Sequence, residues 1–268
     1  MILALDLDGT LLDSHKQLSQ VNLDAITHAQ EAGTTIVLAS GRHPYSMARF
    51  ADLLSLKERG GYLVAFNGGQ IIDYTTGRLL FERTLPIDAL PRIVDWAHRY
   101  NLPILTFRRN VIISENPTNH YVVENAANNC MSIEGVKDFL AELKGLYQPP
   151  AKFLFPGDPE LLPTVEAAMK ADFGDAIGIY RSAPHYLEIV PPGIDKGHAL
   201  LELMETVGRK TLIACGDQDN DISMIRAADI GVAMGNAEEE VKAVADYVAP
   251  TNDQTGIAHV IERFNLHK

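Results

Sequence analysis

The sequence predicts an α/β fold in which a doubly wound parallel sheet is interrupted by an inserted α+β domain. Short apolar runs of the kind that form buried strands alternate with helical stretches near both ends of the chain, and three of these runs stop abruptly at acidic or hydroxyl-bearing residues. Between the two ends lies a segment with a different order of helices and strands. At 268 residues, 46% of them hydrophobic, the chain exceeds one typical domain and has the composition of a packed protein.

Ile2-Leu3-Ala4-Leu5 reads as the first buried strand. Ser19 then caps a helix through about Ala32, with Val21, Leu23, Ile26 and Ala29 near one face and Gly33 as its stop. Thr35 to Ala39, rich in β-branched residues, is the second strand and completes a βαβ crossover. Pro44 opens another helical stretch, and Tyr62 to Phe66 is a strand ending at Asn67-Gly68-Gly69. A hairpin follows, Gln70 to Tyr74 and Arg78 to Arg83, turning at Thr75-Thr76-Gly77.

The pattern changes near Thr84-Leu85-Pro86. Helices are expected near 88–100, 117–128, 136–145 and 159–172, with strands near 103–107, 111–115, 151–155, 177–181 and 185–190. No Gly/Ser linker marks either boundary. The first pattern resumes at about Glu188, where Asp195 can cap a helix through about Val207 and Thr211 to Cys215 forms another buried strand.

Candidate functional residues stand at the ends of these strands, where open parallel sheets bind their ligands. Asp6-Leu7-Asp8-Gly9-Thr10 places two carboxylates one residue apart, followed by a glycine that lets the backbone approach an anion; such a pair could share a metal and a phosphate. Ser40-Gly41-Arg42 offers a hydroxyl and an amide to phosphate oxygens, and the loop Gly216 to Asp221 carries Asp217, Asp219 and Asp221. Lys196 falls in the first turn of its helix, where its charge is mildly unfavourable beside the helix dipole, and that misfit favours function. Taken singly, each has an ordinary explanation as a turn residue, a solvated lysine or a capping acid. Together they are the parts of a phosphoryl-transfer site.

With these clusters in this order, the chain resembles the haloacid dehalogenase (HAD) superfamily of phosphotransferases, and within it the Cof-type phosphatases that carry a large α/β cap of the C2 type. The resemblance runs through DLDGTLLDS, ASGR, the Asn67-Gly68 turn, LEIVPPGIDKGHAL, GDQDNDISMI, VAMGNAEEEVKAVADYVAP and TGIAHVIERF. It implies a Rossmann-like catalytic core at 1–83 and 188–268 and an inserted cap at 84–187 that closes over the site and selects the substrate.

The resemblance also implies roles. Asp6 is the nucleophile that becomes a phosphoaspartate, and Asp8 protonates the leaving alkoxide and then deprotonates water. Mg2+ is held by the Asp6 carboxylate, the Asp8 carbonyl and the Asp217 carboxylate, while Asp221 orients the metal waters or the lysine. A dianionic phosphate monoester resists a carboxylate nucleophile, so Lys196 and the metal must neutralise its oxygens. Ser40 and the amides of Gly9 and Gly41 hold the remaining oxygens. Asn67 matches an asparagine near the substrate entrance in Cof-type relatives. Arg42 reads either as a contact to an anionic substrate or as a surface arginine, and Asn220 either as support for the metal loop or phosphate or as a plain turn residue.

Two departures from the family pattern stand out: Gln218 and Asp219 replace a small residue and a glutamate, and Asp195 replaces a serine before the lysine, adding a negative charge. In the insert, Arg108 and Arg109 read as a solvated hairpin turn, while Arg181, His185 and Tyr186 lie on the last hairpin.

The net charge of −12 disfavours nucleic acid and anionic membranes as partners. The two cysteines lack metal-ligand spacing and read as buried thiols in a reducing cytosol. No signal peptide or membrane span is expected, so a cytoplasmic protein is. The leading expectation is a magnesium-dependent phosphatase for a small phosphorylated metabolite, with sugar phosphates first. The alternatives are a phosphoryl transferase or mutase using the same aspartate, and a non-catalytic phosphometabolite sensor.

Overall fold

Strands buried on both faces need helices on both sides, and that requirement organises the first of two units in the computed structural model, which describes residues 1–144, 149–208 and 210–267. The first unit is Met1–Glu82 with Asp195–Lys268, and the second is Arg83–Ile194. In chain order the strands are β1 (Ile2–Leu5), β2 (Thr35–Ala39), β3 (Gly61–Ala65), β4 (Gln70–Asp73), β5 (Arg78–Glu82), β6 (Leu105–Arg108), β7 (Val111–Ser114), β8 (Ser132–Gly135), β9 (Phe153–Pro156), β10 (Gly178–Ala183), β11 (Tyr186–Val190), β12 (Leu212–Gly216), β13 (Ile230–Ala233) and β14 (Tyr247–Val248).

The first unit holds an eight-stranded sheet in the order β14-β13-β12-β1-β2-β3-β4-β5. It is parallel from β14 through β3 and ends in the antiparallel hairpin β4–β5. The chain winds outward from β1 in one direction and then returns to wind outward from β12 in the other, so the winding reverses at β1. Leu3, Leu5, Ile36, Leu38 and Ile213 pack on one face with helices Gln20–Glu31, Pro44–Leu53 and Gly256–Arg263. Ile2, Ala4, Val37, Leu212 and Ala214 pack on the other with helix Lys196–Val207. Each fully buried Leu or Ile contributes about 1.5–3 kcal/mol.

The caps form where the sequence places them. Ser19 accepts the Asn22 amide at 3.2 Å, Gly33 has φ +90°, and Asp195 accepts the His198 amide at 2.8 Å. One helix face differs from expectation: Val21 is 55% exposed and Asn22 is buried. Asn22 is the residue in phase with Ile26 and Ala29, and its Oδ1 accepts the Ala258 amide at 3.0 Å, tying this helix to the C-terminal one.

The second unit holds a six-stranded sheet, β10-β11-β9-β6-β7-β8, antiparallel except for β7–β8. Its helices are Leu90–Arg99, His120–Asn129, Phe139–Lys144 and Leu162–Phe173. The expected end of the third helix, residue 145, lies outside the described residues. Strand β8 was not expected; it is a largely exposed edge strand without apolar alternation. Strand β11 pairs with both β9 and β10 through Glu188, so the second unit runs to Ile194 rather than ending at residue 187. Arg108 ends β6 rather than lying in the turn, and its part-exposed side chain pairs with Glu134 at 2.6 Å and also with Glu142. Arg181 pairs with Glu166 at 2.7 Å, and His185 packs between the rings of Tyr121 and Tyr186. Among the described residues, no helix is long and apolar enough to cross a membrane. Cys215 is buried but Cys130 is exposed, at a left-handed position ending helix His120–Asn129.

Candidate active site

Parallel register brings the polar strand ends together. Leu5 lies opposite both Leu38 and Cys215, so the residues that follow β1, β2 and β12 emerge side by side. Asp6 continues the phase of Ile2 and Ala4, toward the face covered by helix Lys196–Val207. The first residue of that helix answers it: Lys196 Nζ donates to Asp6 Oδ1 and to Asp221 Oδ1, each at 2.6 Å.

The acidic loop is folded around Asp221. Its Oδ2 accepts the amides of Asp217 at 2.9 Å and Gln218 at 3.1 Å, which turns the chain tightly after β12. A Cβ on Gly216 would lie 2.3 Å from Asp221 Cβ, so only glycine fits there. Asp217 Oδ1 accepts the Thr10 hydroxyl at 2.8 Å, joining this loop to the one after β1. Asp6, Asp217 and Asp221 thereby present oxygens within 4.8 Å of one another, all three buried.

One fully buried ammonium serves three buried carboxylates. Burial alone would discharge Lys196, but the charges of Asp221 and Asp6 outweigh it and hold its pKa above the ordinary value. Burial raises Asp6 well above the usual carboxylate range, Lys196 opposing this and Asp221 and Asp217 adding to it. Asp217 is pushed up to about 7 by burial, against the Thr10 hydrogen bond and with the Asp221 charge. The excess negative charge and the hard oxygen donors fit a hard divalent cation such as Mg2+. Asp6, Asp217 and Asp221 are the side chains that would hold or support it.

Asp8, expected to be free for proton transfer, is gripped by Arg42. Nε donates to Oδ2 at 2.7 Å and Nη2 to Oδ1 at 2.6 Å. Burial would raise the Asp8 pKa, but the Arg42 hydrogen bonds and charge prevail and hold it below the ordinary value. Neither alternative read for Arg42 anticipated this pairing. Ser40 is buried, with its Oγ accepting the Arg42 amide at 3.3 Å, and Gly41 follows it into the same turn. The Ser40 carbonyl accepts the Asn67 amide at 3.0 Å.

Asn67 sits at φ 55° in the left-handed region, and its Oδ1 accepts from Asn220 Nδ2 at 3.0 Å. The two candidates thus brace the loops after β3 and β12 against each other. Gly9, at φ +84°, lies against the Asp217 carboxylate. Of the residues singled out as family departures, Asp195 serves as a helix cap, and Asp219 lies exposed in the short 3₁₀ turn Asp219–Asp221.

Sequence reasoning placed Thr10 in the first cluster without giving it a role, and missed Asn236 and Asn252. Asn236 Nδ2 donates to the Gly9 carbonyl at 2.8 Å, the Asn252 amide donates to Asn236 Oδ1 at 3.0 Å, and Asn252 Nδ2 donates to the Leu12 carbonyl at 2.9 Å. They fix the loop after β1 from the C-terminal side. The available signal was the asparagine in the loop that follows β13 in VAMGNAEEE, three residues past the strand end, whereas Asp6 and Asp217 come directly after theirs.

A family model described as haloacid dehalogenase-like hydrolase matches residues 3–261. The crystal structure of a haloacid dehalogenase-like hydrolase from Bacteroides thetaiotaomicron is 41% identical, covers 98% of each chain and superposes with a TM-score of 0.92. YxeH of Bacillus subtilis (strain 168) is 31% identical over 100% of this chain and 99% of its own length. The pyridoxal phosphate phosphatase YbhA of Escherichia coli (strain K12) is 29% identical over 97% of both proteins.

Proposed function

We propose that this chain, which belongs to the haloacid dehalogenase-like hydrolase family and is a phosphatase, hydrolyses a small phosphomonoester in a magnesium-dependent reaction through a phosphoaspartate on Asp6. The observation that carries this reading is Lys196, fully buried with its ammonium shared between Asp6 and Asp221. A structural lysine would not be buried among acids at the rim of a sheet without a task, because desolvating the group costs several kcal/mol.

In the first step Asp6 attacks phosphorus, an Asp6 O–P bond forms and the bond to the leaving oxygen breaks. A proton from Asp8 goes to that oxygen and releases an alcohol. In the second, water attacks phosphorus while Asp8 takes its proton, and the Asp6 O–P bond breaks to give inorganic phosphate. Lys196 offsets charge on the phosphoryl oxygens and keeps Asp6 placed, while the Ser40 hydroxyl and the amides of Gly9 and Gly41 are assigned to the remaining oxygens. When bound, the divalent cation supplies further positive charge at the same oxygens.

Sugar phosphates are the first substrate class in this reading, and the substrate named for YbhA makes pyridoxal phosphate the second to test. The Arg83–Ile194 unit is assigned to substrate selection. A cytosolic location belongs to the same reading, since Cys130 and Cys215 are both free thiols.

The test is phosphate release from a panel of sugar phosphates, pyridoxal phosphate and nucleotides, with Mg2+ and with chelator, for the wild type and Asp6→Asn. Magnesium-dependent release that disappears in the variant supports the reading. Transfer to an added alcohol without free phosphate would replace hydrolysis by phosphoryl transfer.

A further inference from the structure

We propose that Arg42 is a positioning residue for the proton-transfer step: its guanidinium grips both oxygens of Asp8 and sets the direction in which that carboxyl faces the leaving group. This rests on the phosphatase reading above and adds a residue to its machinery.

The geometry is a two-point fork, Nε to Oδ2 at 2.7 Å and Nη2 to Oδ1 at 2.6 Å, which fixes the plane of the carboxyl and not merely its distance. The arginine is the anchored partner. Its side chain is 13% exposed, its guanidinium carbon lies 5.6 Å from the centroid of the Phe50 ring, and its amide is tied to Ser40 Oγ. Phe50 is itself buried in helix Pro44–Leu53. The Asp8 side chain is 44% exposed, and among the described residues the fork supplies its side-chain hydrogen bonds. A general acid works only within hydrogen-bond reach of the oxygen it protonates, so a half-exposed carboxyl needs an external guide. The same turn carries Ser40, so the hydroxyl offered to phosphate and the group that aims Asp8 are built on adjacent backbone.

Leaving-group chemistry tests this. Phosphorylation of Asp6 by p-nitrophenyl phosphate expels a stable phenolate that needs no proton, whereas glycerol 2-phosphate expels an alkoxide that does. The experiment measures kcat/KM for both compounds with Mg2+ in wild type, Arg42→Ala and Arg42→Lys, with thermal unfolding of each variant recorded alongside. This constant reports the steps through departure of the leaving group. The expected result is a loss for glycerol 2-phosphate about 10- to 100-fold greater than for p-nitrophenyl phosphate, a fraction of what a general acid contributes. Lysine should not rescue, because it supplies charge without the fork. Inhibition by inorganic phosphate should be unchanged.

Equal losses for both compounds with weakened phosphate inhibition would overturn the proposal and make Arg42 an anion-binding residue. Full rescue by lysine would overturn it in favour of charge alone. If the wild type releases phosphate from neither of these compounds nor any member of the panel, the phosphatase reading itself fails and this inference with it.

Discussion

Gly9 and Asp217 approach so closely that a Cβ on Gly9 would lie 2.3 Å from Asp217 Oδ2. The loop after β1 and the loop after β12 therefore meet through a bare backbone. Gly9 also has φ +84°, a conformation that side chains resist. Gly9→Ala should displace the Asp217 carboxylate and lower phosphate release by about 100-fold, at a stability cost of about 1–3 kcal/mol. Steady-state kinetics and urea unfolding of the variant check both. Wild-type rates would mean that the two loops need not touch.

Lys196 offers a sharper separation of charge from packing. Lys196→Met keeps the volume and leaves Asp6 and Asp221 buried without their ammonium, which should cost about 3–5 kcal/mol and abolish turnover. The sign with pH follows from its raised pKa. The contribution of this ammonium is complete below the ordinary lysine value and is lost as pH rises through the folded one. The difference in stability between wild type and variant should hold from pH 6 to 9 and narrow only in strong alkali, as read by urea midpoints.

Cation binding should stabilise the fold as well as enable catalysis, because three crowded, buried carboxylates hold their charged forms at a cost that a cation offsets. At a concentration 100 times the dissociation constant, a ligand adds about 2.7 kcal/mol. Magnesium should raise the melting temperature of the wild type and chelator should reverse the rise. Asp217→Asn should lose most of that shift. An equal shift in the variant would remove Asp217 from the ligand set.

A pH-linked cluster of three charges in the second unit can be tested away from the active site. Burial raises the Glu166 pKa, but Lys170 and Arg181 outweigh it and leave the group below its ordinary value. The stabilisation is therefore present above the unfolded glutamate value and is lost as pH falls through the folded one. Glu166→Gln should be less stable than wild type by roughly 0.2–1 kcal/mol at neutral pH, and the two should converge in acid. Thermal melts across that range decide it; a constant gap would show that packing, not charge, sets the difference.

Much of this architecture was legible in local pattern. The runs around Leu3, Val37 and Ile213 had to be strands, because uninterrupted β-branched and aliphatic residues of that length suit a sheet covered on both faces. The polar residues that interrupt them, Asp6, Ser40 and Asp217, then had to emerge at one edge of a parallel sheet. Edge strand β8 escaped notice because an exposed edge needs no apolar alternation, and Val21 was misplaced because one register step separates it from the buried Asn22.

Strand identity, domain insertion and the four clusters of reactive side chains follow from hydrophobic period and residue type, which act over a few neighbouring positions. The partners did not. Arg42 on Asp8, Asn220 on Asn67 and Asn236 on the Gly9 carbonyl join residues 34, 153 and 227 positions apart. Which donor reaches which acceptor across such separations depends on sheet register, loop curvature and the side chains left over after the core has packed, so only the folded chain could decide it.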